Sequence, residues 1–189
     1  TPHRLFEGVA AVFEVTVHVE AGASRGQKDD VPGEAILLAD ATASAIDPAR
    51  SGCGAVEGGG LNAYDPALIE DCWFEGNHAT FAGGGSSAQI SWFSEGPTFL
   101  RCTYVNNTAE DSGGGPDLES DAALVQCTLV GNSAPEGGNV AAYCSGVTWI
   151  EQCILVGAQE GGSIYFLPET YNDLVLVCTD IWGNTGGDW

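Results

Sequence analysis

The 189 residues contain no methionine, and basic side chains are scarce: five Lys plus Arg stand against 26 Asp plus Glu, a formal net charge of -21. A field of that sign repels nucleic acid, anionic lipid surfaces and polyuronates. Long apolar runs are lacking too. Stretches such as AILLA at 35–39 fall far short of the roughly 20 residues a membrane-spanning helix needs. A charged-then-apolar leader is not seen after Thr1, so a secretory signal is expected to be either absent or already removed. No C-x-x-C pair is present, which argues against a zinc knuckle or a thioredoxin-like redox site. No G-x-S-x-G elbow is found, and His3, His18 and His78 are scattered rather than set at metal-ligand spacing. SGCGAVEGGG at 51–60 lacks phosphate-loop spacing, and no Lys-Ser or Lys-Thr follows it, so it reads as a turn.

What the chain has in quantity is glycine, 27 residues, and an apolar content of 44%, enough for one domain with a substantial core. It also has a repeat. ALIEDCWFEGNHATFAGGG at 67–85 is rewritten as TFLRCTYVNNTAEDSGGG, ALVQCTLVGNSAPEGG, WIEQCILVGAQEGG and LVLVCTDIWGNTGG. Cys72, Cys102, Cys127, Cys153 and Cys178 follow one another at intervals of 30, 25, 26 and 25 residues. Units of this length bounded by glycines indicate a solenoid, in which each unit buries its apolar face only against its neighbours. The segments are short, β-branched or aromatic, and their glycine clusters would cost about 1 kcal/mol per residue inside a helix, so stacked coils of parallel strands are expected.

Counted from the cysteine, the unit reads apolar-x-x-Cys-x-apolar-x-x-Asn-x-Ala. Ile69, Phe99, Leu124, Ile150 and Val175 precede the cysteines by three places, and Phe74, Tyr104, Leu129 and Leu155 follow by two. These columns and the cysteines are expected to point inward, the thiols acting as small buried hydrophobes and staying reduced. Side chains stacked in register lie too far apart for a relaxed disulfide. The three-residue step before each cysteine breaks strand alternation and predicts a bend or bulge there. Asn77, Asn107 and Asn132 fall five places after their cysteines. They are expected to occupy the left-handed turn and to hydrogen-bond from coil to coil. Ala79, Ala109 and Ala134 supply a small inward residue, and the following glycines permit a second corner. Cys53 and Cys144 lie outside the column.

FEGN at 74–77, followed by glycine triplets, resembles the F-x-x-N and G-G-[AG]-[ILV] repeats of polymorphic outer membrane proteins and of secreted right-handed β-helix proteins. The likeness covers residues 52–189. Tyr104 and Leu129 depart from it by replacing Phe, Ala158 by replacing Asn, and the last coil by one extra residue before Asn184. The resemblance implies an all-β, right-handed parallel β-helix, export, and a surface or adhesive role without a particular ligand. About five regular coils are expected over 52–189, with one or two irregular coils or a cap over 1–51, where VFEVTVHVE at 12–20 reads as a strand.

Three functions stay open on the sequence: a structural or adhesive element, a polysaccharide-active or carbohydrate-binding β-helix, and a self-assembling extracellular filament subunit. The first, without catalysis, is the expectation. Uronate lyases need a basic proton acceptor beside a Ca²⁺–carboxylate cluster, and the repeats carry one basic residue, Arg101. It shares a column with Asp71 of the preceding coil, where an ion pair accounts for it. Acidic surface of this density suits solubility, high salt or weak Ca²⁺ binding. Trp73, on the outward side of the first cysteine, and Trp92 and Phe93, in a coil five residues longer than its neighbours, are candidate contacts for carbohydrate or a partner surface. Thr103, Thr128 and Thr179 share the Trp73 column but leave it too incomplete for an ice-binding array. Uncapped coil edges invite pairing, so the coil closing at Trp189 is expected to be completed by further polypeptide, by a second copy with strand 12–20 as donor, or by Trp182 and Trp189 folding back as a local cap.

Overall fold

The computed structural model describes residues 17–18, 36–39, 42–44, 54–64, 66–89, 96–119, 121–143, 146–167 and 172–188. It is an all-β parallel solenoid. The longest sheet runs Val17–His18, Thr42–Ser44, Leu68–Glu70, Thr98–Leu100, Ala123–Val125, Gly146–Glu151, Asn172–Val177. A five-stranded sheet runs from Trp73–Glu75 through Thr103–Val105, Thr128–Val130 and Ile154–Val156 to Asp180–Trp182. A six-stranded sheet runs from Ile36–Ala39 through Leu61–Tyr64, Ser86–Gln89, Pro116–Glu119 and Val140–Tyr143 to Ile164–Phe166. A short sheet of Gly54–Glu57, His78–Ala82 and Thr108–Ala109 links the last two faces. Among the described residues every pairing is parallel except that of Val17–His18 with Thr42–Ser44, which is antiparallel. Four coils carry strands on all three long faces. The expected fifth has strands on only two of them, Asn172–Val177 and Asp180–Trp182.

The corners follow from backbone sterics. Asp71, Arg101, Gln126, Gln152 and Cys178 have φ between 49° and 56°, so a left-handed residue immediately before the ladder position produces the bend that the three-residue step predicts. For L-residues this conformation costs about 1–2 kcal/mol each. The outer side chains of this column bond from coil to coil: Arg101 to Asp71, and Gln126 Nε2 to Gln152 Oε1 at 2.9 Å. The second corner differs from expectation. The left-handed residues there are Gly76, Asn106, Gly131, Gly157 and Gly183, one place before Asn77, Asn107 and Asn132. Those three asparagines are buried and face inward, so the turn is made by the residue before them, which is glycine in four of five coils.

The core lies between the long sheets. Ile69, Phe99, Leu124 and Ile150 from one face meet Phe74, Tyr104, Leu129 and Leu155 from the next, and Leu61, Ala88, Leu118, Val140 and Ile164 from the third. Burying each large side chain contributes about 1.5–3 kcal/mol. Phe74 stacks on Tyr104 with ring centroids 4.6 Å apart, and Phe99 meets the same ring edge-on at 6.2 Å. Tyr104, in the column of Phe74, is fully buried, and its hydroxyl is 2.9 Å from Ser86 Oγ. Burial pushes that phenol well above its usual range. Among the described residues no helix is long and apolar enough to cross a membrane.

Candidate functional site

The repeat builds two kinds of column, one inside and one outside. Inside, Cys72, Cys102, Cys127 and Cys153 are buried free thiols. Each sulfur donates to a carbonyl of its own coil, and those of Cys102, Cys127 and Cys153 also reach the preceding coil: Cys127 Sγ donates to Phe99 O at 3.3 Å, and Cys153 Sγ to Leu124 O at 3.5 Å. Burial in apolar surroundings disfavours the thiolate along this column. Such sulfurs are inert packing groups.

Cys178 does not continue the ladder. Ile154 pairs with Asp180 and Ile150 with Leu176, which puts Thr179 in the cysteine column and Cys178 in the left-handed corner, exposed. Thr179 Oγ1 takes over the bonds of a ladder sulfur, accepting from Cys153 N at 3.4 Å and donating to Ile150 O at 3.1 Å. The residue expected as extra before Asn184 therefore lies before Thr179, and Leu176, not Val175, is the core residue of that coil. Counting back from Asn184 by the five places that separate Cys72 from Asn77 would have found it.

The asparagines form a continuous buried chain. Asn107 Oδ1 accepts from Asn77 N and Nδ2, both at 3.0 Å, and Asn132 Oδ1 accepts from Asn107 N and Nδ2 at 2.9 and 3.0 Å. At Ala158 the column has no amide, and Asn139 fills the gap. It stands where Gly60, Gly85 and Gly115 stand in earlier coils, accepts from Asn132 Nδ2 at 3.2 Å and donates to Asn184 Oδ1 at 3.0 Å. A Cβ at Gly85 would lie 2.6 Å from the Tyr104 ring, and one at Gly60 would lie 3.0 Å from Asn77 Nδ2. Asn139 faces Ala158 of the next coil where those glycines face an asparagine, which leaves room for its amide.

Outside, the five-stranded sheet presents Trp73, Thr103, Thr128, Ile154 and Asp180 in one column and Glu75, Val105, Val130, Val156 and Trp182 in the next. Trp73, Ile154 and Trp182 are 41%, 43% and 60% exposed. Trp73 Nε1 donates to Glu75 Oε2 at 3.1 Å. Round the corner, the seven-stranded sheet adds Leu100, Val125 and the exposed Trp149. Arg101 makes two bonds to Asp71, at 2.7 and 2.8 Å, and one to Glu70 at 3.2 Å, and these hold the Asp71 carboxyl below its usual range. His78 Nδ1 lies 3.0 Å from Thr108 Oγ1. Trp92, Phe93, Cys53 and Cys144 lie outside the described residues, as does most of strand 12–20; its described part, Val17–His18, pairs within its own chain.

Among the described residues no three His, Cys, Asp or Glu side chains converge on a point where they alone would hold a metal ion. Comparison with known proteins returned no matching family model, no matching curated protein and no matching solved structure.

Proposed function

We propose that this β-helix is an exported structural and adhesive element that works through a surface and not through catalysis. The observation that carries this reading is the apolar outer face of the five-stranded sheet. On a chain of net charge -21, three successive coils set Thr103 and Val105, Thr128 and Val130, and Ile154 and Val156 outward in register, with Trp73 and Trp182 toward opposite ends. A rigid parallel sheet holds such side chains at one spacing without further ordering cost, which favours contact with an extended or repetitive surface. The likeness of the repeat to those of polymorphic outer membrane proteins supports export and display.

Beads coated with the protein test the reading when their retention on a panel of cell surfaces and insoluble polysaccharides is compared with that of a Val105→Lys, Val130→Lys, Val156→Lys variant. Retention of the wild type and its loss in a variant with unchanged circular dichroism is expected. Equal retention of both, or wild-type retention no better than that of albumin-coated beads, contradicts it.

A second reading, a filament subunit, rests on a different observation. The last coil leaves Cys178 exposed and Leu174, Leu176 and Ile181 only partly buried. A hollow of about 610 Å³ lined by Leu176, Cys178, Thr179, Asp180, Ile181 and Asp188 opens there. Continuing polypeptide or the first coil of a second copy fits that face. Fibres of the isolated chain seen by electron microscopy would favour the second copy.

A further inference from the structure

Asn62, Ser87, Asp117 and Ala141 stand in register on Leu61–Tyr64, Ser86–Gln89, Pro116–Glu119 and Val140–Tyr143. Their neighbours Leu61, Ala88, Leu118 and Val140 point into the core, so alternation turns this column outward. It is nevertheless covered, because the left-handed corner glycines fold back over it: a Cβ on Gly113 would lie 3.1 Å from Asp117 Cβ, and one on Gly83 would lie 3.1 Å from Ser87 N. Asp117 is only 5% exposed.

The enclosure suits a neutral acid. Asp117 Oδ1 is buried without a hydrogen-bond partner, as are Ser87 Oγ and Asn62 Oδ1 in the same column, and Ala141 on the other side brings no polar side chain. The charges around it are of one sign: Glu119 on its own strand, Glu57 at the end of Gly54–Glu57 and Asp111 in the corner. Further along the face Tyr143 donates to Glu136, and the phenols of Tyr143 and Tyr165 are raised above their usual range, so neither is charged near neutrality. Arg101, the one Lys or Arg among the described residues, is paired with Asp71 and Glu70, and His78 lies against Thr108 and Glu110. An ionised carboxylate here would lack donors, counter-charge and water together. A proton removes the charge and adds an O–H donor beside buried oxygens that have none.

We propose that Asp117 is a pH-sensitive latch: as the neutral acid it lets the 112–115 corner close over its strand, and loss of the proton forces that corner open until water reaches the carboxylate. The corner can open by itself. It is held to its neighbours by backbone bonds, Gly83 N to Ser112 O at 3.0 Å, Gly84 N to Gly113 O at 2.8 Å, Gly113 N to Glu136 O at 2.9 Å and Gly114 N to Gly137 O at 3.2 Å, while Leu118 anchors the same strand in the core. Burial first, then Glu119, Glu57 and Asp111, raise the Asp117 carboxyl well above 3.8. The contribution of the neutral acid is therefore complete below 3.8 and is lost as pH rises through the raised folded value. Between those two values each pH unit favours the opened form by about tenfold.

Hydrogen exchange, corrected for the intrinsic rate at each pH, tests the latch in wild type, Asp117→Asn and Glu119→Gln from about pH 5 to about pH 8. Repulsion among the other carboxylates grows with pH in all three, so the differences between them isolate Asp117. In wild type, protection of the Gly83, Gly84, Gly113 and Gly114 amides should fall by up to about tenfold per unit, and that of Thr103 and Thr128, bonded within the five-stranded sheet, should fall less. Asp117→Asn places in the column the amide already present at Asn62 and should hold the four glycines at their low-pH protection. Glu119→Gln, which removes one of the charges raising Asp117, should show the wild-type fall levelling off at a lower pH. Carbon-13 titration of the wild-type Asp117 carboxyl gives a second reading that needs no variant: it should remain protonated at about pH 5, where exposed carboxyls are ionised. Equal pH dependence of the glycine amides in wild type and Asp117→Asn, or an Asp117 carboxyl already ionised in the folded protein at about pH 5, overturns the proposal.

Discussion

At the scale of single residues, the fold is written in which of two adjacent side chains faces inward. Cys127 is 1% exposed, while Thr128 beside it lies on the outer face. Cys127→Asp buries a charge among Leu124, Leu129 and the neighbouring thiols and should cost more than about 3 kcal/mol, whereas Thr128→Asp should cost under about 1. Chemical denaturation of the two variants measures the difference. Asn139 and Ala158 give a sharper test. Ala158→Asn alone should crowd Asn139 and cost about 1–3 kcal/mol, and Asn139→Gly alone should cost a similar amount by leaving Asn132 Nδ2 and Asn184 Oδ1 each short of a partner. Together they rebuild the arrangement of Gly85 with Asn107, so the double variant should be more stable than the sum of the two predicts by about 0.5–3 kcal/mol. Additive losses would show that the two sites do not exchange one amide.

This pair also marks where the sequence is legible and where it is not. Ala158 is visible as a missing asparagine, and Asn139 as an interruption of a glycine column. That one answers the other depends on a contact between successive coils, which periodicity does not encode. The same holds for Tyr104 and Ser86: a phenol in an apolar column is plain, and the hydroxyl that satisfies it is 18 residues earlier, on another face.

At the scale of elements, the coil is a set of columns, and the columns were readable because five imperfect copies average out their exceptions. The inward rows before and after the cysteine, the buried alanines and the bend ahead of the cysteine all follow from spacing alone. Two features depart from the expected columns. The asparagine turn is displaced by one residue because a buried amide makes the ladder while its neighbour takes the left-handed backbone. The last coil slips by one because a threonine hydroxyl can replace a thiol in bonding to carbonyl oxygens. That slip has a chemical consequence. With the folded protein, iodoacetamide should modify Cys178 rapidly, and peptide mass spectrometry should find Cys72, Cys102, Cys127 and Cys153 unmodified until denaturant is added. Protection of Cys178 equal to that of Cys127 would return it to the ladder.

At the scale of the whole molecule, the central claim is that residues 23 to 31 apart in sequence are hydrogen-bonded neighbours in parallel coils. The apolar outer face, the covered oxygen column and the open last coil all depend on this register, since a shift by one residue would exchange inward and outward side chains. The most direct measurement is nuclear magnetic resonance of scalar couplings across backbone hydrogen bonds in the isotope-labelled protein. The fold predicts couplings from the amide of Thr103 to the carbonyl of Cys72, from Thr128 to Cys102, and from Ile154 to Cys127. Couplings that instead join each amide to a carbonyl four residues earlier, or that link Thr128 and Cys102 through an antiparallel pattern, would contradict the solenoid.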